Sequence, residues 1–165
     1  QAGDLALLRV NDAVAQQVTP LKLCHALPAL GEKVSVVGYP FTGEDNDSLA
    51  IVPGTVFRKP RELGAGMIEI QSEVNPGNSG GPAFTMDGYV IGVVTEKQFV
   101  PYRPEVTPMG RLIPIVRLLA FLKAATVPES ELDDVEARPA DVVKMDLEGF
   151  ASNYGDSVVQ IISVR

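Results

Sequence analysis

An all-β fold is what this sequence predicts. Its apolar residues come in short runs rich in Val, Ile and Leu, 15 glycines and 13 prolines punctuate those runs, and an Asp-Gly pair, Asp87-Gly88, divides two of them at hairpin spacing. Short apolar runs bounded by turn formers are the pattern of strands, and Asp-Gly supplies the positive φ that a tight turn between strands requires. A length of 165 residues, 45% of them hydrophobic, suits one domain with a real core.

Taken in order, Asp4 to Val10 (Asp-Leu-Ala-Leu-Leu-Arg-Val) is an apolar segment of strand length that ends at the polar pair Asn11-Asp12, and it predicts a buried strand. Leu21 to Leu30 reads as a connecting stretch. Glu32 to Pro40 alternates as a strand does and is stopped by Gly38 and Pro40. A polar loop over Gly43 to Ser48 follows, then two strands, Ile51 to Arg58 and Met67 to Glu73, on either side of the Pro60 to Gly66 turn region. After the Gly-rich run Asn75 to Pro82, the stretch Ala83 to Thr95 is the hairpin around Asp87-Gly88. Leu112 to Ile115 leads into a helix over Val116 to Ala125, where apolar residues recur three and four apart and Pro114 is placed to open the first turn. From Thr126 to Lys144 the composition turns acidic and polar, as in a linker, and Ser157 to Val164 returns to a strand pattern. The chain contains no internal repeat.

Composition narrows function. The net charge is −7 and no Lys/Arg cluster breaks the acidic balance, so the long-range field repels phosphate backbones and speaks against a nucleic-acid partner. No apolar run approaches the roughly 20 residues of a membrane-spanning helix. Cys24 is the single cysteine, so no internal disulfide can form; in its Leu-Cys-His-Ala setting it reads as a small buried hydrophobe. The N-terminal residues lack the basic and apolar regions of a signal peptide, and the compartment stays open.

The run that carries chemistry is Asn75-Pro76-Gly77-Asn78-Ser79-Gly80-Gly81-Pro82, a serine set among glycines between two strands. A serine nucleophile needs backbone N–H groups aimed at the developing oxyanion. Glycines let the chain turn tightly enough to bring the N–H groups of Gly77 and Ser79, on either side of Asn78, to one spot. Gly80 and Gly81 are expected to keep the approach to the Ser79 hydroxyl free of side chains.

This run resembles the nucleophile loop of trypsin-fold serine proteases in its HtrA/Deg form. The resemblance extends over roughly Asp4 to Ala125. Asp4-Leu-Ala-Leu-Leu resembles the segment that carries the triad aspartate, and Val34 to Pro40 the strand that ends in Gly-Asn-Pro, with Tyr39 in place of Asn. Val52-Pro-Gly-Thr-Val56 is similar to the strand that follows, Asp87 to Thr95 to the Asp-Gly hairpin, and Leu112-Ile-Pro-Ile115 to the strand before the final helix. The resemblance implies the C-terminal Greek-key β-barrel of a two-barrel trypsin-like fold with a C-terminal helix, and a serine endopeptidase acting on unfolded or extended polypeptides. It implies no cofactor and no metal. Ser79 would be the nucleophile, Asp4 the acid of the triad, and Gly77, Asn78 and Ser79 the oxyanion hole.

The triad histidine of this fold precedes the aspartate, and only three residues precede Asp4. The lone histidine, His25, lies downstream in a connecting segment, so the resemblance assigns the base to an N-terminal barrel outside this segment, which alone is expected to turn over barely. A truncated chain, a nicked enzyme and a non-catalytic homologue that binds peptide or scaffolds an assembly all fit that gap. Counting back from Ser79 puts Glu73 and Val74 at the pocket for the residue before the scissile bond. Val74 as an apolar floor is preferred, because a buried unpaired carboxylate at Glu73 is costly. Gly92, Val93, Val94 and Thr95 are expected to offer backbone groups to an extended substrate. A homo-oligomer is a further partner the resemblance admits.

The organisation that follows is residues 1–125 as the C-terminal part of the peptidase domain, 126–156 as an acidic linker, and 157–165 as a strand of a following module or of a second protease copy. The last assignment rests on the similarity of Ser157 to Val164 to the opening strand of HtrA-type domains; a generic β-rich tail is the other reading.

Overall fold

The computed structural model describes residues 4–41, 48–62, 66–98, 109–128, 130, 134–135, 137–139 and 143–158. Two short elements come first, a helical turn α1 (Asp12–Ala15) and a strand β1 (Leu23–Cys24). The apolar runs then form β2 (Lys33–Gly38), β3 (Ala50–Arg58), β4 (Ile68–Ser72), β5 (Pro82–Thr85), β6 (Val90–Gln98) and β7 (Met109–Pro114). These six close on themselves in the order β5-β2-β3-β4-β7-β6, with β5 pairing to β6 and every neighbour antiparallel. Closure leaves no unpaired edge along the ring.

Side-chain alternation decides what lies inside. Val34 and Val36 of β2 point into the barrel with Val56, Ile68, Ile70, Ile91, Val94 and Leu112, all at most 2% exposed. Residues of the opposite parity, Val37, Phe84 and Val90, face outward yet are buried too, because other elements cover them. One is α2 (Ile115–Ala124), which follows Pro114 as its N-cap and lays Ile115, Leu118 and Leu119 against the barrel wall. The other cover is α3 (Leu147–Tyr154).

That second helix falls within the stretch read as an acidic linker. Asp146 caps it, its side chain accepting from the Gly149 N–H at 2.8 Å. Phe150 is fully buried, 5.5 Å from the Phe84 ring between centroids, and Tyr154 stacks on the other part of Phe84 at 4.9 Å. Burial raises the Tyr154 phenol above its ordinary range. Upstream, β8 (Asp134–Val135) pairs in parallel with β1, and the Arg138 guanidinium bridges Glu32 (Nη2 to Oε2, 3.1 Å) and Asp87 (Nη1 to Oδ1, 3.3 Å). The hydrogen bond it donates to Glu32 holds Arg138 more firmly protonated than usual.

The expected hairpin is β5–β6, turned at Asp87-Gly88 with Gly88 at φ +85°. The expected buried strand over Asp4 to Val10 is not formed. These residues hold no regular structure, and Leu7, Leu8 and Val10 are about half exposed. A strand exists only where a neighbour takes up its backbone groups, and no barrel strand pairs with this arm among the described residues. Its Asn11 instead caps α1, accepting from the Val14 N–H at 3.0 Å. Ser157 closes a short 3-10 turn and Val158 is in no strand; the rest of the expected Ser157 to Val164 strand lies outside the described residues. Among the described residues no helix is long and apolar enough to cross a membrane.

Candidate active site

The loop between β4 and β5 is built from two tight turns. The Asn78 N–H donates to the Asn75 carbonyl and the Gly81 N–H to the Asn78 carbonyl, each at 3.0 Å. The loop is then fastened to β6, Gly80 N–H donating to Val94 at 2.7 Å and Val94 N–H to Gly81 at 2.9 Å. On its other side the Phe41 N–H donates to Pro76 at 2.6 Å.

Two glycines are there for closeness of backbone. A Cβ at Gly77, which has φ +96°, would stand 2.1 Å from the Tyr39 carbonyl oxygen, and one at Gly81 would stand 2.4 Å from that of Val37. The absence of a side chain at Gly81 is what lets β2 come this close.

The Ser79 side chain is exposed and its hydroxyl donates to the Thr95 carbonyl at 3.2 Å. The Thr95 hydroxyl in turn donates to the Asp4 carboxylate. Thr95 is the extra residue of a bulge: β6 pairs with β7 through Val94↔Leu112 and resumes at Glu96↔Arg111. A bulge re-aims one residue out of the ladder, and here the Thr95 carbonyl meets Ser79 while its hydroxyl meets Asp4. Asp4 and Ser79 are thus joined through one residue although the arm carrying Asp4 forms no strand.

The remaining expectations fall differently. Gly92, Val93 and Val94 lie where β6 is flanked by β5 or the loop on one side and β7 on the other, so their backbone groups serve the barrel; of the four residues expected to pair with substrate, Thr95 is the one beyond that flanking. Val74 is 1% exposed within the interior cluster, packed so that a Cβ at Gly110 would meet its Cγ2 at 2.6 Å, whereas Glu73 is exposed. The Asn78 N–H is committed to its turn. Its side chain is fully buried beside Gly38, and neither Oδ1 nor Nδ2 has a hydrogen-bond partner among the described residues. His25 is half-buried just past β1. A cleft of about 520 Å³ opens beside Ser79, walled by Leu21, Leu23, Tyr39, Leu118 and Val158. Among the described residues no group of three or more His, Cys, Asp or Glu side chains gathers as metal ligands would.

A closed antiparallel barrel with a terminal helix and a serine held in a glycine loop defines the second barrel of a trypsin-type protease. The family described as the trypsin-like peptidase domain matches residues 1–93. The chain belongs to this family, within its HtrA/Deg branch. It is 39% identical over 127 residues to Protease Do-like 2, chloroplastic, of Arabidopsis thaliana, covering 72% of this chain and 20% of that protein. It is 35% identical over 92 residues to a probable periplasmic serine endoprotease, DegP-like, of Pseudomonas fulva, covering 55% and 19%. The chain therefore spans about a fifth of the length of these curated relatives. Among solved structures, the active form of the Rv3671c protease from M. tuberculosis superposes with a TM-score of 0.52 at 21% identity, over 67% of this chain and 49% of that one.

Proposed function

We propose that the complete protein is a serine endopeptidase that cleaves unfolded or extended polypeptides, with Ser79 as nucleophile and Asp4 as the acid of its triad. The supporting observation is the double role of Thr95, whose carbonyl accepts from Ser79 and whose hydroxyl donates to Asp4. In this reading the histidine comes from an N-terminal barrel packed over the Asp4 arm. It takes the Ser79 proton as the hydroxyl oxygen attacks the scissile carbonyl, and Asp4 fixes its tautomer and stabilises the imidazolium. The amides of Gly77 and Ser79 receive the oxyanion. Val74, inside the barrel, gives the pocket an apolar back and the exposed Glu73 takes no part in its floor.

A second reading, a protease-fold subunit that binds peptide without cleaving it, is favoured by one feature: the Ser79 hydroxyl gives its hydrogen to a carbonyl, an acceptor that cannot carry the proton away. One experiment separates the two. The complete protein is treated with a fluorophosphonate, which reacts with activated serines, beside a Ser79→Ala variant of equal thermal stability. Labelling of the parent and none of the variant supports the peptidase; a parent that does not label and does not hydrolyse a denatured protein substrate overturns it.

A further inference from the structure

Tyr39 lies between two parts of the molecule that the sequence gives no reason to connect. Its main chain belongs to the wall of the nucleophile loop: the Tyr39 carbonyl sits where a Gly77 side chain would be, and the next amide but one, Phe41 N–H, holds Pro76 at 2.6 Å. Its side chain points the other way, and the phenol donates to the Val158 carbonyl at 3.0 Å.

Val158 follows a segment fixed at several points. The Met145 N–H donates to Met86 at 2.6 Å; Phe150 and Tyr154 cluster with Phe84; and Ser157 Oγ donates to the Thr19 carbonyl at 2.6 Å. Packing against the hairpin turn leaves no slack, since a Cβ at Gly88 would stand 2.4 Å from both Met145 Cε and Tyr154 Oη. Ser157 and Val158 then share one cleft with Tyr39, Gly77 and Ser79. Within the loop, the Asn78 side-chain Oδ1 and Nδ2 are buried and have no hydrogen-bond partner among the described residues.

We propose that Tyr39 is a positioning residue that couples docking of the Met145–Val158 segment to the geometry of the Ser79 loop. The docked segment fixes the Tyr39 ring, the fixed ring sets the Tyr39–Phe41 main chain, and that main chain sets Pro76–Gly77 and so the direction of the Gly77 N–H. When the segment leaves, the loop relaxes and the Gly77 amide no longer faces the oxyanion. The segment is then a built-in switch on the site. The catalytic side of this inference rests on the peptidase reading above; the structural side does not.

The test uses the complete protein with Tyr39→Phe, which removes only the hydroxyl, Phe150→Ala, which loosens the segment, and the double variant. The expected results are a fluorophosphonate labelling rate and a kcat lowered about 3- to 10-fold by Tyr39→Phe, the effect of one neutral hydrogen bond, with KM unchanged. The double variant should be no slower than the slower single one, because both act through one contact. Amide hydrogen exchange at Gly77 to Gly80 should quicken in each variant. Unchanged exchange in Tyr39→Phe, or multiplicative losses in the double variant, overturns the coupling. If the parent does not label at all, the peptidase reading fails and the exchange measurement alone decides the coupling.

Discussion

Replacing Gly77 by alanine separates the loop's position from the barrel's stability. The new Cβ would stand 2.1 Å from the Tyr39 carbonyl oxygen and 2.9 Å from the Phe41 nitrogen, both main-chain atoms that cannot swing aside. Overpacking of this kind costs about 1–3 kcal/mol, and a left-handed φ for a residue with a side chain adds about 1–2 kcal/mol. Gly80 is the control: its φ is +87° but nothing lies within 4 Å of a Cβ built there, so Gly80→Ala carries the conformational strain alone. The expected destabilisation is about 2–5 kcal/mol for Gly77→Ala and about 1–2 kcal/mol for Gly80→Ala. On the peptidase reading proposed above, a loop that moves to relieve the clash loses an oxyanion donor, and turnover falls about 10²- to 10³-fold. Thermal melting and fluorophosphonate labelling of the complete protein read the two effects separately. A Gly77→Ala protein that labels at the parent's rate, or a Gly80→Ala protein that loses as much stability, refutes the close-approach argument.

Thr95→Val keeps the carbonyl that accepts from Ser79 and deletes the hydroxyl that donates to Asp4; loss of a hydrogen bond to a carboxylate, about 1.5–3 kcal/mol, predicts a fall in kcat/KM of about 10- to 150-fold, and unaltered kinetics would detach Asp4 from the site. Phe150→Ala removes a fully buried ring and should cost about 3–5 kcal/mol of local packing, seen as rapid hydrogen exchange in α3 while β2 and β4 stay protected; a protected α3 would contradict its dependence on that ring. Burial raises the Cys24 thiol above its ordinary 9.0, so the folded state binds that proton more tightly than the unfolded chain does. Its stabilising contribution is full below pH 9 and lost as pH climbs through the raised value. The melting temperature should therefore decline beyond pH 9, less steeply in Cys24→Ala, where Tyr154 still works in the same direction; identical slopes would argue that the thiol does not titrate on unfolding.

The barrel was legible because its code is local. Val34 to Val37 alternate between an interior and a covered outer face, Ile68 and Ile70 turn inward together, and Gly88 supplies the positive φ of the β5–β6 turn. The glycine loop was legible for the same reason. Three features were not. The Asp4 to Val10 run has strand composition, but strand formation is settled by a partner, which lies beyond the run itself. The α3 helix hides in acidic sequence because Phe150 and Tyr154, four apart, are its main apolar signal; Asp146 three residues before Gly149 was the cap that could have exposed it. The bulge at Thr95 has no sequence mark at all, since it arises from the mismatch in register between β6 and β7, and with it the side-chain role of Thr95 stayed invisible.

The exposed arm and the site are one problem in this architecture. Leu7, Leu8 and Val10 are 50%, 59% and 51% exposed, on the same stretch of chain whose first described residue, Asp4, meets Thr95. Fully burying such side chains is worth about 1.5–3 kcal/mol each, so covering their exposed halves offers a few kcal/mol to whatever packs there. A single hydrogen bond from Thr95 is a weaker hold than that. On the proposed reading, the first barrel that brings the histidine also covers this arm, and the same contact surface would align the acid with the base it must orient. The pairing of Asp4 with Ser79 would then depend on apolar burial several residues away, and polar substitutions at Leu7 or Leu8 would act on the triad without touching it.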